Sequence, residues 1–148
     1  MKHFTLTLTL IALATLTGCC GPIVQGGDFD TAAPWQVINP ASILDGAATL
    51  TGDGAIEQVA HFPAPGAYRF DFEITVATAD TFLDLSGDFA ITFYPVIGSS
   101  YMQLDIPEAG AYVFRLELEG RAPEGAAVVL ESISVTPFSF TETPCPLF

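Results

Sequence analysis

The chain of 148 residues suits one domain and has the length to bury one core. Half of it is hydrophobic, which excludes an intrinsically disordered chain. Its 4 basic residues against 17 acidic ones give a formal net charge of -13, which excludes nucleic acid and strongly anionic surfaces as partners.

In chain order, Met1-Lys2-His3 is a short basic head. Phe4 to Leu16 follows, apolar except for threonine. That run is too short to span a bilayer and has the length of a secretory h-region. Leu16-Thr17-Gly18-Cys19 then resembles the lipobox of bacterial lipoproteins, in which an aliphatic residue and two small ones precede the cysteine that is diacylated and becomes the new N-terminus. The resemblance implies a cleaved signal peptide over residues 1-18, acyl chains such as palmitate on Cys19, and anchoring in a membrane. The competing reading is an ordinary signal peptide with a chance cysteine. In Gram-negative lipoproteins an Asp after the modified cysteine retains them in the inner membrane. Cys20 stands there, so the outer membrane, on its periplasmic or surface face, is the expected location.

Residues 19-26 read as a lipidated tether, 27-137 as the folded domain and 138-148 as a Pro- and Phe-rich tail. Beyond the signal, only Arg69, Arg115 and Arg121 oppose the acidic residues, and no lysine follows Lys2. Cys20 and Cys145 lie at opposite ends of an exported chain, where disulfides persist. A bridge between them would clasp tether to tail and contribute about 4–5 kcal/mol in the chain-entropy account. A free or differently paired Cys20 is the alternative.

Within the domain, Asp45-Gly46 and Gly52-Asp53-Gly54 are turn signals. Strands are expected over Ala55 to Phe62, Thr81 to Leu85, Phe89 to Val96, Tyr101 to Ile106 and Ala126 to Thr136. The dominant pattern occurs twice, as Pro63-Ala64-Pro65-Gly66-Ala67-Tyr68-Arg69-Phe70 and again as Pro107-Glu108-Ala109-Gly110-Ala111-Tyr112-Val113-Phe114. Each copy is a Pro/Gly turn that launches a strand. Alternation places Tyr68, Phe70, Phe72, Ile74 and Val76 on one face, with Arg69, Asp71, Glu73 and Thr75 on the other. The second copy puts Tyr112, Phe114, Leu116 and Leu118 inward, and Arg115, Glu117 and Glu119 outward. Strands that bury one face and wet the other predict antiparallel sheets. Two copies are too few for a solenoid and fit two equivalent strands of one sandwich. The fold class is all-β, an antiparallel sandwich of about eight to ten strands.

Gly27-Asp28-Phe29-Asp30, Trp35, Glu57-Gln58-Val59, Pro65 to Phe70 and Leu130-Glu131-Ser132-Ile133-Ser134-Val135 fall in an order that resembles carbohydrate-binding modules of the galactose-binding-like jelly-roll type. The chain has Gly26 where those modules have Asn, and Glu131 where they have Asp. The resemblance implies a jelly roll, a glycan partner and a structural calcium between Asp30 and Glu131, completed by backbone carbonyls. It also implies that Trp35 packs in the core. Solvated strand-end carboxylates are the bland reading of Asp30 and Glu131.

For ligand binding the residues nominate Tyr94 and Tyr101, which flank the loop Pro95 to Ser100, with Arg69 and Glu73 on the wet face of one strand. A packed tyrosine with a bonded hydroxyl, and an ion pair with a neighbouring strand, explain these residues equally well. Asp84 to Asp88 has an EF-hand-like spacing without the rest of that loop and reads as a turn. No nucleophile or metalloprotease motif occurs, His61 is the sole histidine after cleavage, and the reading is non-catalytic. Two roles remain: a lipid-anchored module that binds carbohydrate or another surface ligand, and an accessory lipoprotein that docks onto a larger envelope complex. An exposed aromatic tail would favour the second.

Overall fold

A computed structural model describes residues 22–120 and 122–138. Ten strands follow in order: β1 (Gln36–Ile38), β2 (Ser42–Leu44), β3 (Ala47–Thr51), β4 (Ala55–Phe62), β5 (Gly66–Ala77), β6 (Leu83–Gly87), β7 (Ile91–Phe93), β8 (Gly98–Ile106), β9 (Gly110–Leu118) and β10 (Ala127–Pro137). They form two antiparallel sheets, ordered β1-β4-β9-β6-β7 and β2-β3-β10-β5-β8. Strands β3 to β10 alone alternate between the sheets as 3-10-5-8 over 4-9-6-7, the jelly-roll order. β1 and β2 each extend one edge. The turn between β2 and β3 is the expected Asp45-Gly46, with φ of 53° and 74°, the two left-handed residues that match the twist of a tight hairpin.

The two copies of the repeat become β5 and β9, one in each sheet, and they meet across the core. Phe70 and Phe114 occupy the same repeat position and stack at 6.0 Å with an interplanar angle of 10°. Both are fully buried. The Tyr68 hydroxyl donates to the Ala64 carbonyl at 2.7 Å, and the Tyr112 hydroxyl donates to the Glu108 carbonyl at 3.0 Å. Each tyrosine thus reaches back four residues and ties down the turn that launches its own strand. Each buried aromatic or leucine of this core is worth about 1.5–3 kcal/mol.

Alternation holds along β9, and along β5 as far as Ile74. Val76, expected inside, is 47% exposed. The reason is a bulge. Ile74 pairs with Leu130 and Val76 with Val129, so Thr75 has no partner and the faces exchange beyond it. Ala77 then takes the inward place opposite buried Val128. A second irregularity skips Glu131 on β10, and the buried residues there run Val128, Leu130, Ile133, Val135.

The opening segment closes the sandwich. Trp35 is buried, 5.5 Å from Phe29 and 6.1 Å from Phe114, and its indole N–H donates to the Gly26 carbonyl at 2.8 Å. The Gln58 side chain accepts from the Gln25 amide at 3.0 Å and donates to the Gln25 carbonyl at 3.1 Å, mimicking a strand pair. Ile133 donates its amide to the Gly27 carbonyl at 2.7 Å. A Cβ on Gly27 would lie 2.0 Å from the Ile133 carbonyl oxygen, so only glycine fits. Ile23 and Val24, in the stretch read as tether, are buried in this core, so packing starts a few residues before Gly27. Cys19, Cys20, Cys145 and the tail beyond Phe138 lie outside the described residues.

Candidate functional site

Strand β8 is the edge of its sheet, and its wet face adjoins those of β5 and β10. The register fixes three rows. Ser99 lies opposite Glu73, Tyr101 opposite Asp71, and Gln103 opposite Arg69. On the other side of β5, Ser134 lies opposite Asp71 and Thr136 opposite Arg69. The sequence-nominated Tyr101, Arg69 and Glu73 therefore share one surface, joined by Asp71 and Gln103.

Arg69 pairs within its own strand rather than with Glu73. Its Nε donates to Asp71 Oδ1 at 2.7 Å, and its terminal nitrogen lies 2.6 Å from the same oxygen. The same guanidinium sits 4.4 Å from the centroid of the Tyr101 ring. Such a contact is worth about 0.5–1 kcal/mol at an exposed site. It holds the ring in place without covering it, since Tyr101 is still 63% exposed. Glu73 accepts a short hydrogen bond from the Ser99 hydroxyl of the neighbouring strand. The result is a pinned aromatic ring bordered by a guanidinium, two carboxylates and an amide. Chemically, this can stack a flat C–H face on the ring and bond hydroxyls at its rim.

Tyr94 stands elsewhere. It lies in the β7–β8 connection, 53% exposed, with its ring edge-on to Phe82 at 5.5 Å. Val96 and Ile97 in the same connection are also exposed. Together they make an apolar tip at the end of the sandwich away from the Pro63 and Pro107 turns.

The calcium candidates sit on different elements. Asp30 belongs to the opening turn, where its amide donates to the Asp28 carboxylate at 3.4 Å. Glu131 is the skipped, exposed residue of β10. Among the described residues no three or more His, Cys, Asp and Glu side chains gather in one place. The EF-hand-like stretch, expected as a turn, is mostly strand β6: Asp84 accepts from the Thr92 hydroxyl of β7 at 2.5 Å, and Asp88, just past the strand, accepts from the Val113 amide of β9 at 2.7 Å, so both carboxylates tie it to its neighbouring strands.

Sequence reasoning set Arg115 and Glu117 on the outer face of the other sheet but nominated no site there. There Arg115 bonds Glu117 at 2.8 Å and lies 3.7 Å from Glu57, while Ser86 donates to Glu117 at 2.8 Å. Strict alternation along β9 was the available signal. Sequence reasoning passed over Gln103, which the alternation of β8 places beside Tyr101.

No family model matches the chain, and no curated protein matches it. Solved structures do. A mannan-binding module from Man5C aligns with a TM-score of 0.59 at 19% identity, over 74% of this chain and 97% of the module. That module in its bound conformation gives 0.53 at 18% identity, over 71% and 93%. TmCBM61 in complex with β-1,4-galactotriose gives 0.50 at 17% identity, over 80% and 99%. The chain therefore has the jelly-roll sandwich fold that these carbohydrate-binding modules have, and spans nearly the whole of each.

Proposed function

We propose that this chain is a non-catalytic carbohydrate-binding module, held at a bacterial membrane by acyl chains on Cys19, that presents the wet face of β5 and β8 to glycans. One observation carries the glycan reading: Tyr101 is held by Arg69 at 4.4 Å yet left 63% exposed, on a surface rich in hydrogen-bonding groups. The fold shared with modules described as binding mannan and β-1,4-galactotriose supports it. The test is a glycan-array screen of the protein with and without calcium. Retention on one class of polysaccharide supports the reading, and silence from a folded sample contradicts it. A rise in melting temperature with calcium in the wild type that is lost in Asp30→Ala and in Glu131→Ala would support the calcium site. Labelled palmitate incorporated by the wild type and lost in Cys19→Ala would support the anchor, and fractionation of the membranes would test the outer-membrane location.

The second reading, an accessory subunit docking onto an envelope complex, is favoured by the apolar tip of Phe82, Tyr94, Val96 and Ile97, since clustered exposed apolar side chains mark interaction surfaces.

A further inference from the structure

Of the four sheet edges, three are short: β1, β2 and β7 have 3 residues each. Short edges are one way in which sandwiches avoid pairing with other chains. The fourth edge, β8, has 9 residues, Gly98-Ser99-Ser100-Tyr101-Met102-Gln103-Leu104-Asp105-Ile106. It contains no proline, no lysine and one charge, Asp105. Among the described residues its only strand partner is β5, so every second residue offers an unpaired N–H and C=O outward. Among the described residues no proline, lysine, bulge or covering segment protects this long edge.

We propose that this edge pairs antiparallel with β8 of a second copy of the chain, and that the two copies build one glycan face. A second copy is the occupant that the strand's own sequence fits. In an isologous pair each residue i meets residue j, and j meets i. The register that joins all of β8 sets Met102 opposite Met102. It sets Tyr101 opposite Gln103, Ser100 opposite Leu104, Ser99 opposite Asp105, and Gly98 opposite Ile106. Inward residues stay inward, outward residues stay outward, and no like charges face each other. The two five-stranded sheets become one continuous sheet. The two Tyr101 rings then flank the two-fold axis as diagonal neighbours, about 7–8 Å apart at the backbone. Each is held by the Arg69 of its own copy. The partner thus supplies the second aromatic platform of the site. The shared platform rests on the reading of Tyr101 given above, whereas the pairing rests on the edge alone.

The test is sedimentation equilibrium of the full-length protein in density-matched detergent, with circular dichroism to verify folding. The wild type is expected to show a dimer mass that dissociates on dilution. The dimer should tighten as salt rises, because the copies repel at -13 each while Asp105 is the only charge on the strand. Ser99→Asp places two like-charge pairs against Asp105 by symmetry and should weaken the dimer roughly ten-fold. Ser99→Lys should tighten it. The opposite signs keep the test decisive if one variant folds poorly. Monomer mass at every loading, or a dimer indifferent to both substitutions, overturns the proposal. A dimer that obeys both but ignores every glycan upholds the pairing and sinks the glycan reading.

Discussion

The two wet faces of the sandwich start from nearly the same chemistry and end differently. On β5, Arg69 pairs with Asp71 two residues on; on β9, Arg115 pairs with Glu117 two residues on. The intrastrand pair is the same. What differs is the neighbouring strand. Arg115 has Glu57 at 3.7 Å on β4, and Ser86 on β6 bonds its partner Glu117, so the arginine, both carboxylates and the serine are all engaged with one another. Arg69 has Tyr101, and its second contact holds up an exposed ring. The repeat supplies the frame, and the strands beside it decide which face is available to a ligand. Exposed ion pairs are worth about 0–1 kcal/mol. Neither arginine is therefore needed for the fold, and the difference between the faces should appear in binding.

The comparison assumes a common frame, and its sharpest test is the core. Phe70→Ala and Phe114→Ala should each cost about 3–5 kcal/mol, measured by urea unfolding. Costs that differ severalfold would mean that the two repeat strands are not equivalent. Gly27→Ala, whose methyl meets the Ile133 carbonyl at 2.0 Å, should cost about 1–3 kcal/mol by the same measurement. Next come the arginines. Arg115→Ala should lower stability by up to about 1 kcal/mol and leave glycan affinity unchanged. Arg69→Ala should release the Tyr101 ring and weaken affinity roughly two- to five-fold, with stability changed by no more than about 1 kcal/mol. Equal binding effects would break the comparison. The smallest effects belong to the two turns. Tyr68→Phe should cost about 1 kcal/mol, and Tyr112→Phe less, because Tyr68 is buried and Tyr112 only partly so.

Much of this was legible in the residues. The spacing of Tyr68, Phe70 and Phe72, and of Tyr112, Phe114 and Leu116, is enough to place β5, β9 and their inward faces. β4 falls at Ala55–Phe62, as its pattern predicts. Val76 was not legible as exposed, because the bulge that turns it outward depends on the pairing of Val129 and Leu130 on a distant strand. The bulge on β10 was visible in principle, since Leu130 and Ile133 are three apart where alternation requires two. β1 and β2 are too short to carry a period. The site divides in the same way. Alternation puts Arg69, Asp71 and Glu73 on one side, but setting Tyr101 beside them takes the β5–β8 register. Tyr94 lies as near to the same loop in sequence, and the chain delivers it to Phe82 instead.

Whether the face of β5 and β8 binds glycan through Tyr101 is decided by titration calorimetry of wild type and Tyr101→Ala against the polysaccharide retained in the array. An exposed ring can be removed with little effect on folding, and loss of a central aromatic contact should cost about 2 kcal/mol or more in binding, a drop of about thirty-fold. An affinity unchanged in a folded Tyr101→Ala protein would contradict the account and place the ligand elsewhere, with the tip of Phe82 and Tyr94 the next surface to test.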